Sequence, residues 1–332
     1  MATSPRIGLL LLSATEPTNV GRALWAEERG FDSVWLADGG GRMHALTAAG
    51  GIAARTRRVT VGLGVVPVFT HTPAVLASAV LALSTFAPGR IILGLGSSSK
   101  PMMEGWSGIP FRKPLTRVRE TAVLLREILR GEKTAFEGET LSSNGFRLFS
   151  TPPQAVPIFL AALRPKMLEL AGEVGDGVIL HLCPPRVIPN MLEHTAEGAR
   201  RAGRSPTDFQ VVVRTNVYVT ADKEKARAEF RKLAANYYST AVYNKFLAWC
   251  GFEAEAARIS AGFRQRDRSM TLGALSDEVC DQLAVIGSAD ECREAVRAMM
   301  AMGVTTPIIY AASENPGERE ATMEAFSPDN FH

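Results

Sequence analysis

Short apolar runs, each followed by a stretch with helical spacing, recur along nearly the whole chain, and this rhythm leaves few folds open. Ile7 to Ser13 is apolar almost throughout, and Asn19 to Arg29 then sets Val20, Ala23 and Leu24 on one helix face before Gly30 closes it. The cycle repeats as Ser33 to Ala37 with Met43 to Ala54, Val59 to Val66 with Pro73 to Phe86, and Ile91 to Gly96 with Leu115 to Leu129. It continues as Val156 to Ala162 with Lys166 to Val174, and Gly177 to Leu182 with Pro185 to Arg201, before the strands Phe209 to Thr220 and Thr305 to Ala311. Strict alternation is the grammar of a parallel α/β sheet. Eight short strands spread evenly to the C-terminus predict a closed (β/α)8 TIM barrel rather than an open doubly wound sheet.

Two stretches break the rhythm. Residues 133–150, with Phe136, Glu137-Gly138 and Phe149, read as a small hairpin, and residues 221–281 read as mostly helical. Both are expected as insertions on the rim of a single domain covering residues 1–332. With 46% hydrophobic and 21% charged residues, the chain can bury a large core and has no disorder signature. Lys and Arg number 37 against 34 Asp and Glu, interspersed and without a basic stripe among aromatics, so nucleic acid is not an expected partner. Cys183, Cys250, Cys280 and Cys292 form no CxxC pair or zinc-type spacing, and suit a reducing cytoplasm. The first apolar run is too short to cross a bilayer and reads as a strand rather than a signal peptide, so no membrane partner is expected.

In such a barrel the chemistry sits where the strands end at their C-termini. The segment Pro157 to Met167 reads as strand, turn and helix, with Arg164 and Lys166 in the turn and Pro165 in the first helical turn, where a proline costs no hydrogen bond. Free backbone N–H groups, the helix dipole and a lysine suit a phosphate, although ordinary strand-to-helix junctions share this pattern. Asp38 precedes Gly39-Gly40-Gly41 and serves either as an active-site acid or acceptor, or as a helix cap. Gly94-Leu95-Gly96 followed by Ser97, Ser98 and Ser99 lacks the third glycine of a dinucleotide fingerprint, and Pro101 stands where the phosphate-binding helix would begin. The serines are therefore hydrogen-bond donors to a ligand or part of a plain hydrophilic loop. Among the histidines, His181 ends a strand facing the barrel mouth, whereas His44 falls at the start of the helix Met43 to Ala54 and His71 just ahead of the helix Pro73 to Phe86, where a surface or capping role is the alternative. No clustered carboxylates or HExxH motif call for a metal, and none is expected.

Glu28-Arg29-Gly30-Phe31-Asp32-Ser33-Val34-Trp35, Thr72-Pro73, the run Ser84 to Gly96 containing Pro88-Gly89-Arg90, and the strand, turn and helix at 157–167 together resemble the luciferase-like superfamily of flavin and deazaflavin enzymes. That superfamily includes bacterial luciferase and methylenetetrahydromethanopterin reductase. Glu104-Gly105-Trp106, Ile109-Pro110-Phe111, Arg117 to Thr121 and Leu129-Arg130-Gly131 are similar to its coenzyme F-420 (F420) dependent oxidoreductase branch.

The resemblance implies a luciferase-like barrel that transfers hydride between reduced F420 and a small organic substrate, reducing a C=C, C=N or C=O bond. An FMN-dependent monooxygenase is the alternative, and a cofactor-binding homologue without turnover is the third reading. By position, Gly64, Val65 and Val66 would form a cis-peptide bulge behind the ring, Asp38 would lie near it, and Ser97, Ser98 and Ser99 would meet the cofactor. Leu163, Arg164, Pro165, Lys166 and Met167 would hold its phosphate, and Ala161 and Ala162 before them would also meet the cofactor. Asp38, His181 and His71 are the proton-transfer candidates. The branch's sugar-phosphate dehydrogenases carry a histidine after the aspartate and a glutamate after the fourth strand. Here those places hold Gly39 and, approximately, Ser99, which argues against that acid–base pair. Arg164 also replaces a small residue. The family further implies a homodimer paired through helices near the second and third barrel units; the apolar face of Pro73 to Phe86 serves either as such an interface or as ordinary barrel packing.

Overall fold

The computed structural model describes residues 6–12, 16–39, 41, 43–205 and 209–331. Ser13 and Gly40, which the sequence reading placed at the mouth of the barrel, lie outside them. One sheet runs β10 (Val285–Gly287), β9 (Gln210–Val219), β11 (Thr306–Ala311), β1 (Gly8–Leu10), β2 (Ser33–Leu36), β3 (Thr60–Pro67), β4 (Ile91–Gly96), β7 (Ile158–Ala161), β8 (Gly177–His181). β8 also pairs with β9, so eight parallel strands close into a ring, and β10 rides on the far end of β9. The expected TIM barrel is the observed one.

The outer layer comprises α1 (Glu16–Glu28), α2 (Ala45–Arg55), α3 (Pro73–Phe86), α4 (Pro114–Leu129), α5 (Pro165–Val174), α6 (Ile188–Arg201), α12 (Ala289–Ala301) and α13 (Pro316–Ala325). The main core lies between these helices and the strands, where Val61, Leu63, Leu93 and Leu95 meet Ile52, Leu76, Val80 and Leu124. A second, smaller cluster of Leu10, Trp35, Phe159, Ile179, Val212 and Ile308 fills the barrel interior. The Pro-Gly-Arg motif serves this scaffold and not the mouth. Gly89 takes a φ of +70°, and the Arg90 guanidinium donates to the carbonyls of Val59 at 2.7 Å and Thr56 at 3.1 Å, tying β4's start to the end of α2.

The first insertion is the antiparallel hairpin β5 (Ala135–Glu137) and β6 (Ser142–Asn144), as expected. The carboxylate of Glu120 on α4 accepts from the backbone N–H groups of Glu139 and Thr140 at 2.6 and 2.9 Å, pinning the hairpin's turn. The second insertion is a run of helices, α7 (Lys223–Tyr238), α8 (Ala241–Trp249), α9 (Glu253–Gln265), α10 (Arg268–Gly273) and α11 (Asp277–Leu283). Among the described residues no helix is long and apolar enough to cross a membrane.

Candidate active site

Glycines shape the barrel interior. A β-carbon on Gly62 would stand 2.4 Å from the Trp35 indole, and one on Gly8 would stand 2.9 Å from Trp35 Nε1, so this side chain fits only because both neighbours lack one. Its N–H is satisfied by Ser33 Oγ at 2.8 Å, and the indole forms a dry floor beneath the mouth.

Above that floor the peptide bond between Gly64 and Val65 is cis, and the β3–β4 register shifts between Leu63 and Val66. The bulge turns Val65 inward, toward the interior cluster, over Gly94 and Gly96: β-carbons there would lie 3.2 and 2.6 Å from its methyl groups. Bare backbone on β4 and one branched apolar side chain leave a flat wall. The Val65 carbonyl accepts from the Asp38 N–H at 3.2 Å, fixing the end of β2 to the bulge. Val66 and Ala162, two of the sequence candidates, are buried in the outer core instead.

Asp38 does two things. Its Oδ1 accepts from the Ala45 N–H at 3.1 Å, which caps the start of α2, and its carboxylate also faces His44 and His71. The Nε2 atoms of the two histidines are 3.2 Å apart, while each Nδ1 meets a threonine hydroxyl, Thr47 for His44 and Thr70 for His71, at 2.9 Å. A contact between two ring nitrogens requires one to donate and the other to accept, so the pair shares a proton. Burial, reinforced by His44, lowers the affinity of His71 for a second proton, with Asp38 opposing. The donor atoms of these three residues lie within 4.8 Å of one another, a spacing that would also admit a cation. The sequence offers Asp38 and His71 as proton-transfer candidates but gives no sign that they meet, and it assigns His44 no role.

Ser97, Ser98 and Ser99 end β4. Ser98 takes a φ of +62°, a conformation disfavoured for a side chain, and Ser97 Oγ donates to its carbonyl at 3.3 Å. A π-helical turn, Pro101–Trp106, follows and brings Met102 against the Gly39 loop.

At the end of β7, α5 begins with Pro165 and has no side-chain cap, unlike α12, where Ser288 and Glu291 form a capping box. Arg164 and Lys166 are exposed here, and among the described residues neither forms an ion pair. Uncapped N–H groups and two free cations suit an anion.

His181 ends β8 facing inward and is 8% exposed. Burial and the charge of Arg214 hold its pKa well below the ordinary value, so it is neutral. Its Nδ1 meets the Tyr243 hydroxyl at 3.0 Å and Tyr237 stands edge-on to the ring, while Tyr238 donates to the Leu182 carbonyl at 2.8 Å. All three tyrosines come from α7 and α8, so the second insertion closes over this side of the mouth. Beside His181, β9 contributes Arg214 and Asn216, which sequence reading missed. The signal was present in Val211 to Val219, where a charged and an amide residue interrupt an apolar strand at a period of two. The four cysteines are buried and free, with burial pushing the Cys183 and Cys292 thiols up to about 12 and Cys280 up to about 11. A thiolate nucleophile is not part of this site.

Known proteins share this architecture. The chain is 29% identical over 298 residues to 5,10-methylenetetrahydromethanopterin reductase of Methanolobus tindarius, an alignment covering 89% of this chain and 90% of that one. It is 30% identical over 284 residues to the enzyme of the same name from Archaeoglobus fulgidus, covering 84% and 85%. The coenzyme F420-dependent tetrahydromethanopterin reductase of Methanopyrus kandleri superposes with a TM-score of 0.82 at 22% identity, covering 98% of each chain. The model of the luciferase-like monooxygenase family matches residues 8–306, and the chain belongs to that family.

Proposed function

We propose that this chain is an F420-dependent oxidoreductase that reduces a C=C, C=N or C=O bond of a small organic substrate at the barrel mouth. The observation that carries this reading is the pairing, at one end of the barrel, of the flat wall made by Val65 over Gly94 and Gly96 with the uncapped, cation-flanked start of α5. A planar ring with a phosphorylated tail matches both halves. A relative from Mycobacterium tuberculosis named as a coenzyme F420-dependent oxidoreductase, 30% identical over 313 residues and covering 87% of this chain and 89% of its own, favours the deazaflavin over FMN.

The residues present fit that cofactor. Gly64 and Val65 would back the ring, Ser97, Ser98 and Ser99 would meet its edge, and the segment Ala161 to Met167 would surround the charged tail, with Arg164, Lys166 and the uncapped start of α5 holding it. F420, when bound, supplies hydride from its carbon 5. The chain's own part is to orient the acceptor and manage the proton. Asp38 is the proposed proton-transfer group, and the His71–His44 pair behind it is a route by which its proton is exchanged with solvent. His181, neutral and buried, acts as a hydrogen-bonding wall instead of an acid.

One domain, a homodimer and a cytoplasmic location complete the proposal. α3 is free of charged residues and leaves Val75 and Phe86 exposed, which supports that helix as the interface. The test is parallel titration of the purified protein with F420 and FMN, followed optically. F420 is expected to bind at least ~10-fold more tightly, a difference of about 1.4 kcal/mol, and oxygen uptake with reduced FMN to be absent. Preferential binding of FMN with oxygen consumption would overturn the reading.

A further inference from the structure

Resting on the deazaflavin reading above, the inner face of β9 points to the chemical class of the substrate. Val212 belongs to the interior cluster, and strand alternation puts Arg214 and Asn216 on the same face above it. Register places His181 beside Arg214 and Tyr310 beside Asn216. The Arg214 guanidinium carbon lies 5.4 Å from the centre of the Tyr310 ring, which holds the cation within the mouth.

The protein leaves this set unsatisfied. Arg214 Nε, both amide atoms of Asn216 and His181 Nε2 are buried without a hydrogen-bond partner, and Asn216 is 1% exposed. Among the described residues no carboxylate pairs with Arg214. Two other partly buried arginines are paired: Arg204 donates to the Gly172 carbonyl at 3.2 Å and to Asp176 at 3.3 Å, and Arg231 donates to the Leu275 carbonyl at 2.7 Å. A sheltered guanidinium without counter-charge is costly, and water satisfies its N–H groups without balancing its charge.

We propose that Arg214, Asn216 and His181 form an oxyanion-binding wall, and that the substrate carries a carboxylate which this wall orients. The planar fork of Arg214 matches a carboxylate, the Asn216 amide adds a further donor, and His181 Nε2–H adds another when Nδ1 accepts from Tyr243. Neutral His181 serves here without placing a second cation beside Arg214.

The cofactor also carries oxyanions, so the test separates the two sources. Benzoate is the probe: it is titrated against wild type and Arg214→Gln while the melting temperature is followed, crystals of wild type are soaked in 4-bromobenzoate, and F420 affinity is measured on both proteins. Expected are saturable stabilisation of wild type, anomalous bromine density with the carboxylate on Arg214, benzoate binding at least about tenfold weaker in the variant, and F420 affinity within about threefold of wild type. Carboxylate density elsewhere, or an undiminished benzoate response in the variant, overturns the proposal. So does a tenfold loss of F420 affinity in the variant, which would assign Arg214 to the cofactor. The soak on wild type decides the matter even if the variant does not fold. If wild type takes up benzoate at Arg214 but no F420, the deazaflavin reading fails and the oxyanion wall stands.

Discussion

Trp35 lies across the place where Gly62 would carry a side chain: a β-carbon there would stand 2.4 Å from the indole. The ring has little room to retreat, because its N–H is held by Ser33 and Phe159 packs 6.4 Å away, centre to centre. Gly62→Ala is therefore expected to destabilise the fold by about 1–3 kcal/mol through overpacking, read as a lower urea midpoint at unchanged slope. An unchanged midpoint would show that the barrel floor is looser than this geometry requires.

Asp38 combines a cap with a proposed proton-transfer role, and two substitutions separate them. Asn keeps an oxygen for the Ala45 N–H, so Asp38→Asn is expected to leave stability within about 0.5 kcal/mol while turnover falls roughly 100-fold or more. Asp38→Ala also loses the cap and should cost about 1 kcal/mol in addition. Turnover in Asp38→Asn equal to wild type would reduce Asp38 to its capping role.

The barrel was legible because each repeat buries an apolar strand under an amphipathic helix, and that pattern is local. Pro73–Phe86 and Ile91–Gly96 appear at the residues the spacing gives, since Thr72-Pro73 and Pro88-Gly89-Arg90 punctuate them. β10 was not legible: Val285–Gly287 is three residues between two helices and becomes a strand only because β9 overruns its neighbours. The site divides in the same way. Arg164, Lys166 and Asp38 sit at strand ends that topology predicts. The His44–His71 contact and the meeting of His181 with Tyr243, 62 positions on, depend on how loops and the helical insertion fold back, which no local pattern encodes.

Buried, neutral His181 makes stability depend on pH. Its folded pKa lies well below the ordinary 6.5, so the unfolded chain binds the extra proton first as pH falls. Stability is full above about 6.5 and declines below it, by up to about 1.4 kcal/mol per pH unit until the folded group itself titrates. His181→Gln should flatten this part of the profile between roughly pH 6.5 and 5 in denaturant titrations. A wild-type slope that survives the substitution would assign the dependence to other groups, His71 first, since its pKa is lowered in the same direction.

Arg164 and Lys166 stand exposed at the start of α5 with no partner of their own among the described residues, so their contribution to a bound phosphate is electrostatic and open to screening. Each single alanine substitution is expected to weaken F420 binding roughly three- to tenfold, about 0.7–1.4 kcal/mol, without changing the melting temperature of the free protein. Raising salt from low to about 0.5 M should weaken the wild type more than the double variant, because the double variant has fewer charges left to screen. Fluorescence titration of F420 at two ionic strengths reads both effects. If the double variant binds as wild type does, and with the same salt response, the tail of the cofactor lies elsewhere and the uncapped helix start is only a junction.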